Sequence, residues 1–379
     1  MSTPASKVEY SKRFPSWPED SLSQRTDRVG SGSTWGIREI GTFQVLRRAP
    51  IYGIPLWLEE YKEEASARVE ENECLQSVLR LFGTNWRNLT HEKLTRSAGP
   101  LSSFVKLLAQ VLETPVAPGP QRVLRARTEL QMPAPSNAPG PPPSPSSESS
   151  SSSAEYPSKR ARTDQSPGYL PSDQSDQSTY DQQAKSEITA NSCIYELCSA
   201  VIEISRKETD PPFRLEWTVT NDTITVQAAS HKYSTKNDGT LVHKEHQDGT
   251  WRRVSNHSYC SIEAKSWHDT VEKPFGVQAQ EAAHMIAMFS QRVPTDGHLQ
   301  HNTIIPLVCG AQNLFSLVLG EFPIEYQQYL RDGSQSETPA FAEIREYGMF
   351  NLQRPDHLKV VFVLIIALNL KLQSLGPMS

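Results

Sequence analysis

From Glu187 to Arg206 the apolar side chains fall on one broad helical face. Ile188, Cys193, Ile194, Leu197, Cys198, Val201, Ile202 and Ile204 follow the 3.6-residue period of a helix packed on a core. Pro211-Pro212 ends it. The pattern then alternates, as strands do, over Leu215–Val219, Thr223–Ala228 and Thr240–Lys244. Gln247-Asp248-Gly249 reads as a turn, and Trp251–Val254 with Tyr259–Lys265 as the returning strand, interrupted over Ser255–Ser258. Helical spacing returns over Val277–Phe289, where Ala279, Ala282, Ala283, Ile286 and Phe289 share a face. Thr303–Cys309 and Leu314–Leu319 are strands around Gly310-Ala311-Gln312-Asn313. Asp356–Leu372 closes the chain as a buried helix, its β-branched content leaving a strand open. The order is helix, three-strand meander, helix, two strands, helix. It predicts an α/β domain over residues 186–379.

The first half reads differently. Residues 1–35 are polar and are expected to be disordered. Residues 36–115 carry helical spacing, with Leu75, Val78, Leu79 and Leu81 in one run and Phe104, Val105, Leu107, Leu108 and Val111 in another. They predict a small helical region. Trp57, Phe82 and Trp86 could give it its own core or dock it on the later domain. Residues 116–185 read as a disordered Pro/Ser-rich linker, with Pro-Gly-Pro-Pro-Pro at 139–143 and serines at 149–153. Within it, Lys159-Arg160-Ala161-Arg162 resembles a nuclear-import signal, or is a solvated charge cluster.

Composition narrows the function classes. The 379 residues include 38 basic and 43 acidic ones, a net charge of −5, so nucleic-acid contact would have to come from a local basic patch. Five cysteines with no CxxC pair argue against a disulfide framework or a zinc site and fit reduced thiols inside a cell. The N-terminus lacks the apolar core of a signal peptide. The longest apolar run, Val360–Leu368, is about half of what spans a bilayer. The expectation is no membrane partner and a nuclear or cytoplasmic location.

The sharpest chemical signal is Glu263-Ala264-Lys265. In a strand, Glu263 and Lys265 share one face while Ile262 and Ala264 point to the other. Two opposite charges on a buried face are costly unless paired or liganded. Upstream, Asn237-Asp238-Gly239 opens the preceding strand, and a hairpin would return Asp238 beside Glu263. Two converging carboxylates suit Mg²⁺ or Mn²⁺, and a neighbouring lysine can hold an attacking water and offset charge at phosphorus. Asp222 and Asp248 compete for the aspartate position. Another Glu-x-Lys, Glu60-Tyr61-Lys62, sits on a charged helix face and reads as a surface pair. His231, His243 and His246 lack metal spacing and read as exposed strand and turn residues; Trp251 and Trp267 read as core or edge aromatics.

The element order, together with Asp238 and the later Ile262-Glu263-Ala264-Lys265, resembles the PD-(D/E)xK superfamily. The stretches Val277–Met285 and Ile305–Gly310 are similar to fungal proteins carrying a PD-(D/E)xK nuclease-like domain. The resemblance covers about Ser186 to Ser379. It implies a restriction-endonuclease-like mixed sheet flanked by helices, and a nuclease that cleaves nucleic-acid phosphodiesters, DNA or RNA. Asp238 and Glu263 would bind the metal and Lys265 would serve the nucleophilic water. Glu187 or Glu196 of the first helix would assist, and Gln280, or alternatively Gln278, would sit beside the site. Asn237 stands where the family has proline. The alternative reading keeps the fold as an inactive module that binds nucleic acid or protein.

Overall fold

The computed structural model describes residues 2–15, 21–113, 174–210, 214–219, 222–248, 250–255, 257–265, 273–293, 301–333 and 339–378. The linker sequence up to residue 173, with the Lys159–Arg162 cluster, and Trp267 lie outside the described residues.

The chain is an α/β protein built on a mixed eight-stranded sheet. Its strands are β1 (Val45–Ile51), β2 (Arg214–Thr218), β5 (Gly239–Gln247), β6 (Thr250–Arg253), β7 (Cys260–Lys265), β8 (Thr303–Ala311), β9 (Leu314–Phe322) and β10 (Ala342–Asn351). The order across the sheet is β1-β10-β9-β8-β7-β5-β2, with β6 added to β5. β3 (Thr223–Ala228) and β4 (His231–Lys236) leave this sheet and form a separate hairpin. The meander is therefore β2, β5 and β7, all antiparallel. β7 runs parallel to β8, which requires a crossover, and helix α8 (Phe275–Arg292) supplies it.

Period-two alternation sorts the sheet's side chains into two cores. Ile262 and Ala264 of β7 face helix α7 (Gln174–Ile204) and helix α10 (Pro355–Ser374). Ile305, Leu307 and Val318 face α8, helix α9 (Ile324–Asp332) and the β3–β4 hairpin. α10 is apolar because it is buried: by length and composition it could cross a membrane, yet 72% of that stretch lies inside the fold. α7 begins at Gln174, earlier than its apolar face starts, so the described helix reaches back into the sequence assigned to the linker.

The helical region does not enclose a core of its own. Its helices α3 (Glu59–Glu71), α4 (Glu73–Phe82), α5 (His91–Ala98) and α6 (Ser102–Glu113) bury Leu75, Val78, Phe82, Phe104 and Leu108, with Trp86 from the turn between α4 and α5, in the same cluster as α7 and α10. The stretch expected to be disordered carries helix α1 (Lys7–Arg13) and places Tyr10, Leu22, Val29 and Trp35 in the interior. After helix α2 (Ile37–Thr42), β1 pairs in parallel with β10 and completes one edge of the sheet. On its outer side the Arg47 amide donates to the Pro4 carbonyl at 2.8 Å, so the N-terminal arm covers that edge.

Gly310 of β8 shows how closely α7 lies on the sheet. A β-carbon there would come within 2.5 Å of Ile194 Cγ1. Gly310→Ala is expected to cost about 1–3 kcal/mol through overpacking. Urea denaturation would measure it; a loss below a few tenths would mean that α7 can move away.

Candidate active site

β5 begins where the site begins. The Asp238 amide donates to the Ile262 carbonyl at 3.1 Å, and the Ala264 amide donates to Asp238 Oδ2 at 3.0 Å. Both bonds clip Asp238 onto β7, on either side of Glu263. The expected hairpin is thus formed, with its long arm shared between two strands. β6 pairs with Lys244–Gln247 and β7 with Gly239–Leu241. Asn237 steadies the turn: buried, its amide donates to Thr240 Oγ1 at 2.8 Å and to Ser261 Oγ at 2.9 Å. Asn191 of α7 holds the Asp238 carbonyl at 3.0 Å.

Glu263 lies on the α8 face of β7 and is 2% exposed. Its Oε1 receives the Lys265 ammonium at 2.6 Å and the Gln280 amide at 2.6 Å. Its Oε2 faces His284 Nδ1 at 3.1 Å without hydrogen-bond geometry, and both atoms are buried without a hydrogen-bond partner. Gln280 and His284 are one helical turn apart on α8, which is why both reach the same carboxylate. Burial pushes the Glu263 carboxyl up to about 8; Lys265 opposes the shift and the negative charge of Asp238 adds to it. Burial pushes His284 down to about 3, so it is neutral near pH 7 and its contact is not an ion pair. Burial alone would lower the Lys265 ammonium, but Glu263, then Asp238 and Glu187, hold it above its ordinary value.

The structure brings Asp238, Glu263, Lys265 and Gln280 together, with Glu187 close enough to act on Lys265. The competing acids are elsewhere. Asp222 pairs with Arg253 at 2.6 Å, and Asp248 lies in the exposed β5–β6 turn. Gln278 points away from Glu263: its amide donates to the Lys273 carbonyl and its oxygen accepts from the Thr3 amide. Glu60 pairs across the helical layer with Lys371 at 2.6 Å, and Lys62 with Glu59 at 2.8 Å. His231 and His243 are buried, not exposed; only His246 of the three stands in solvent. Trp251 is an edge aromatic with the Arg214 guanidinium 4.8 Å from its ring centre.

Sequence reasoning missed a second ionic cluster beside the site. Glu281 of α8 binds Arg47 at 2.7 Å and Lys273 at 2.7 Å; Glu346 of β10 binds the same pair at 3.0 and 2.6 Å. Cys309 Sγ donates to Glu281 Oε1 at 3.1 Å, and Ser316 Oγ donates to Glu346 Oε1 at 2.6 Å. All four charged groups are nearly enclosed, and Glu281 is close enough to help raise Glu263. A narrow cleft lies between the two clusters. Its lining includes Glu263 and Lys265 on one side and Lys273 and Glu281 on the other. No sequence spacing connects Arg47 with Glu346. Gln280 and His284, which share a helix face that the sequence also allows to be solvated, instead meet the Glu263 carboxylate, and His284 is buried.

Fold and site together define an α/β protein with a buried acid–lysine couple on a central strand. Comparison with known protein families and with curated proteins finds no match.

Proposed function

We propose that this chain is a divalent-cation-dependent phosphodiesterase of the PD-(D/E)xK kind that cleaves nucleic acid. The observation that carries the reading is the Asp238 clip. A carboxylate heading one strand is fixed to the backbone between Glu263 and Lys265 of the next. With the separate β3–β4 hairpin and β6 set aside, the order α7, β2, β5, β7, α8, β8 supports it as well, since that order and the β7–β8 parallel pair accord with a nuclease-like core.

The residues present fit a hard cation. Glu263 Oε2 is buried without a hydrogen-bond partner, and the Asp238 charge bears on the same carboxyl, so positive charge there would relieve both. Among the described residues no three His, Cys, Asp or Glu side chains gather as a metal cage. Mg²⁺ needs only one or two carboxylates and keeps several waters. Asp238 and Glu263 would hold Mg²⁺ or Mn²⁺, which when bound supplies Lewis-acid polarisation of the phosphate. Lys265, less buried than Glu263, would set an attacking water and offset charge on the phosphoryl oxygens. Gln280 fixes the carboxylate's orientation through Oε1.

The test is cleavage of DNA and RNA by the full chain with Mg²⁺ or Mn²⁺, against Glu263→Gln and Lys265→Ala. Cleavage lost in both variants and in chelator supports the reading. Equal activity in the variants, or none in the wild type, removes it. One observation favours a second reading, an inactive binding module: Glu263 Oε1 is already taken by two partners at 2.6 Å each. Binding of nucleic acid without cleavage would select it.

A further inference from the structure

The two oxygens of the Glu263 carboxylate keep different company. Oε1 accepts from Lys265 and from Gln280, each at 2.6 Å. Oε2 has no hydrogen-bond partner. What faces it is His284 Nδ1 at 3.1 Å, which is buried and lacks a hydrogen-bond partner as well. Both residues are 2% exposed. A buried polar atom is costly when nothing answers it, and here two stand side by side.

A neutral imidazole carries one N–H and one lone pair. An N–H on Nδ1 would have to aim at Oε2, and the contact lacks hydrogen-bond geometry. With the proton on Nε2, two lone-pair atoms face each other, and the ring nitrogen points off the line between them. A metal ion is what such a pair can share. Ligands about 2.1 Å from one ion, and at right angles around it, lie about 3.0 Å apart. The 3.1 Å between Nδ1 and Oε2 matches that span. The surroundings hold the pair still. Gln280, one turn before His284 on α8, occupies Oε1 and so turns Oε2 toward the ring. Ala283 and Ala287 beside the histidine are fully buried, and the Tyr233 hydroxyl donates to the Ala283 carbonyl at 3.1 Å.

The donor set and its burial select among ions. Mg²⁺ takes oxygen ligands and gives up its waters reluctantly, whereas this pair offers a nitrogen and asks the ion to shed water on that side. Imidazole nitrogen suits first-row transition ions. Resting on the cation site of the reading above, we propose that His284 Nδ1 and Glu263 Oε2 together bind the divalent ion, and that this nitrogen–oxygen pair favours a transition-metal ion such as Mn²⁺ over Mg²⁺. Asp238, whose negative charge bears on the same carboxyl, adds attraction for either ion and does not discriminate between them.

The experiment loads the full-length chain with Mn²⁺ and reads the electron spin echo of the bound ion. Its modulation should show a directly bound imidazole nitrogen, and the pattern should change when the chain is made with ¹⁵N-labelled histidine. In His284→Gln that nitrogen signal should vanish. Titration followed by the signal of free Mn²⁺ should show binding weakened at least about tenfold in the variant, the loss that even a supporting contact to a metal site causes. Mg²⁺ should displace Mn²⁺ less readily from wild type than from His284→Gln. The melting temperature without metal shows whether the variant is folded, and the labelled wild type decides the matter where it is not. Mn²⁺ binding that depends on Glu263 but shows no histidine nitrogen overturns the inference and leaves the phosphodiesterase reading standing, as does a nitrogen signal that survives in His284→Gln. Mn²⁺ binding no weaker in Glu263→Gln than in wild type overturns both the inference and the cation site on which that reading depends.

Discussion

Glu281→Ala is expected to destabilise the protein by about 3–5 kcal/mol, the cost of breaking a buried ionic group from one side. Glu281 shares Arg47 and Lys273 with Glu346, and every member is nearly enclosed. Removing one carboxylate leaves two buried cations with one anion, and it also strips the acceptor from the Cys309 thiol. The consequence reaches across the molecule, because the four charges come from β1, the turn before α8, α8 itself and β10. Arg47 ties the N-terminal strand to the helix that carries Gln280 and His284. Burial alone would raise the Glu281 carboxyl, but Lys273 and Arg47 hold it down at about 2. Its folded value is thus below the unfolded one. The stabilisation is full above the ordinary carboxylate range and is lost as pH falls toward 2. Urea denaturation at pH 7 should give the full loss in Glu281→Ala, and the gap to wild type should narrow toward pH 3. Adding Lys273→Met should recover part of the loss, since the remaining anion then faces one cation. A single-variant loss under about 1 kcal/mol at pH 7 would mean that water enters and solvates the cluster.

The elements that sequence reasoning reached are those whose buried positions are apolar. α7, α8 and α10 show it, as do β8 and β9, where Ile305, Leu307 and Leu317 mark the strand plainly. The elements it missed bury polar groups at the positions that should announce them. β10 alternates strictly between buried and partly exposed, but Glu346 occupies one of the inward places. In β4 the inward residues are His231, Tyr233 and Thr235, and in β1 the arginines carry the pairing. The same physics explains the N-terminal arm. Its polar average hides single anchors such as Tyr10, whose ring packs edge-on against Phe341 at 4.9 Å between ring centres. The site was legible because Glu263 and Lys265 break an apolar strand at a period of two. Which aspartate joins them follows from the clip between the Asp238 carboxylate and the Ala264 amide. Composition and spacing could not choose between Asp238, Asp222 and Asp248. Arg253 decides against Asp222 by pairing with it.

The protonation of Glu263 supplies the second large effect. Burial raises its carboxyl to about 8 in the folded chain, against about 4.3 for an unfolded glutamate. The folded state therefore binds this proton more tightly than the unfolded one. Its contribution is fully present below the unfolded value and is lost as pH rises through 8. Wild-type stability in chelator should fall over that window by the order of a few kcal/mol, since each tenfold difference in proton affinity between the two states is worth about 1.4 kcal/mol. Glu263→Gln keeps the shape and a neutral group beside Lys265 and His284, so its curve should lack the fall and cross above wild type near pH 8–9. Urea denaturation at half-unit steps from pH 5 to 9 measures this directly. Lys265, held above its ordinary value, titrates beyond the window and does not mimic the effect. On the proposed reading, a divalent ion at Asp238 and Glu263 would need the ionised carboxylate and would release its proton. Mn²⁺ should then flatten the wild-type curve and leave the Glu263→Gln curve unmoved. Parallel curves for the two proteins in chelator would show that Glu263 is already ionised at pH 5, its charge met by Lys265 alone. A wild-type curve indifferent to Mn²⁺ would take the ion from the site while leaving the buried proton in place.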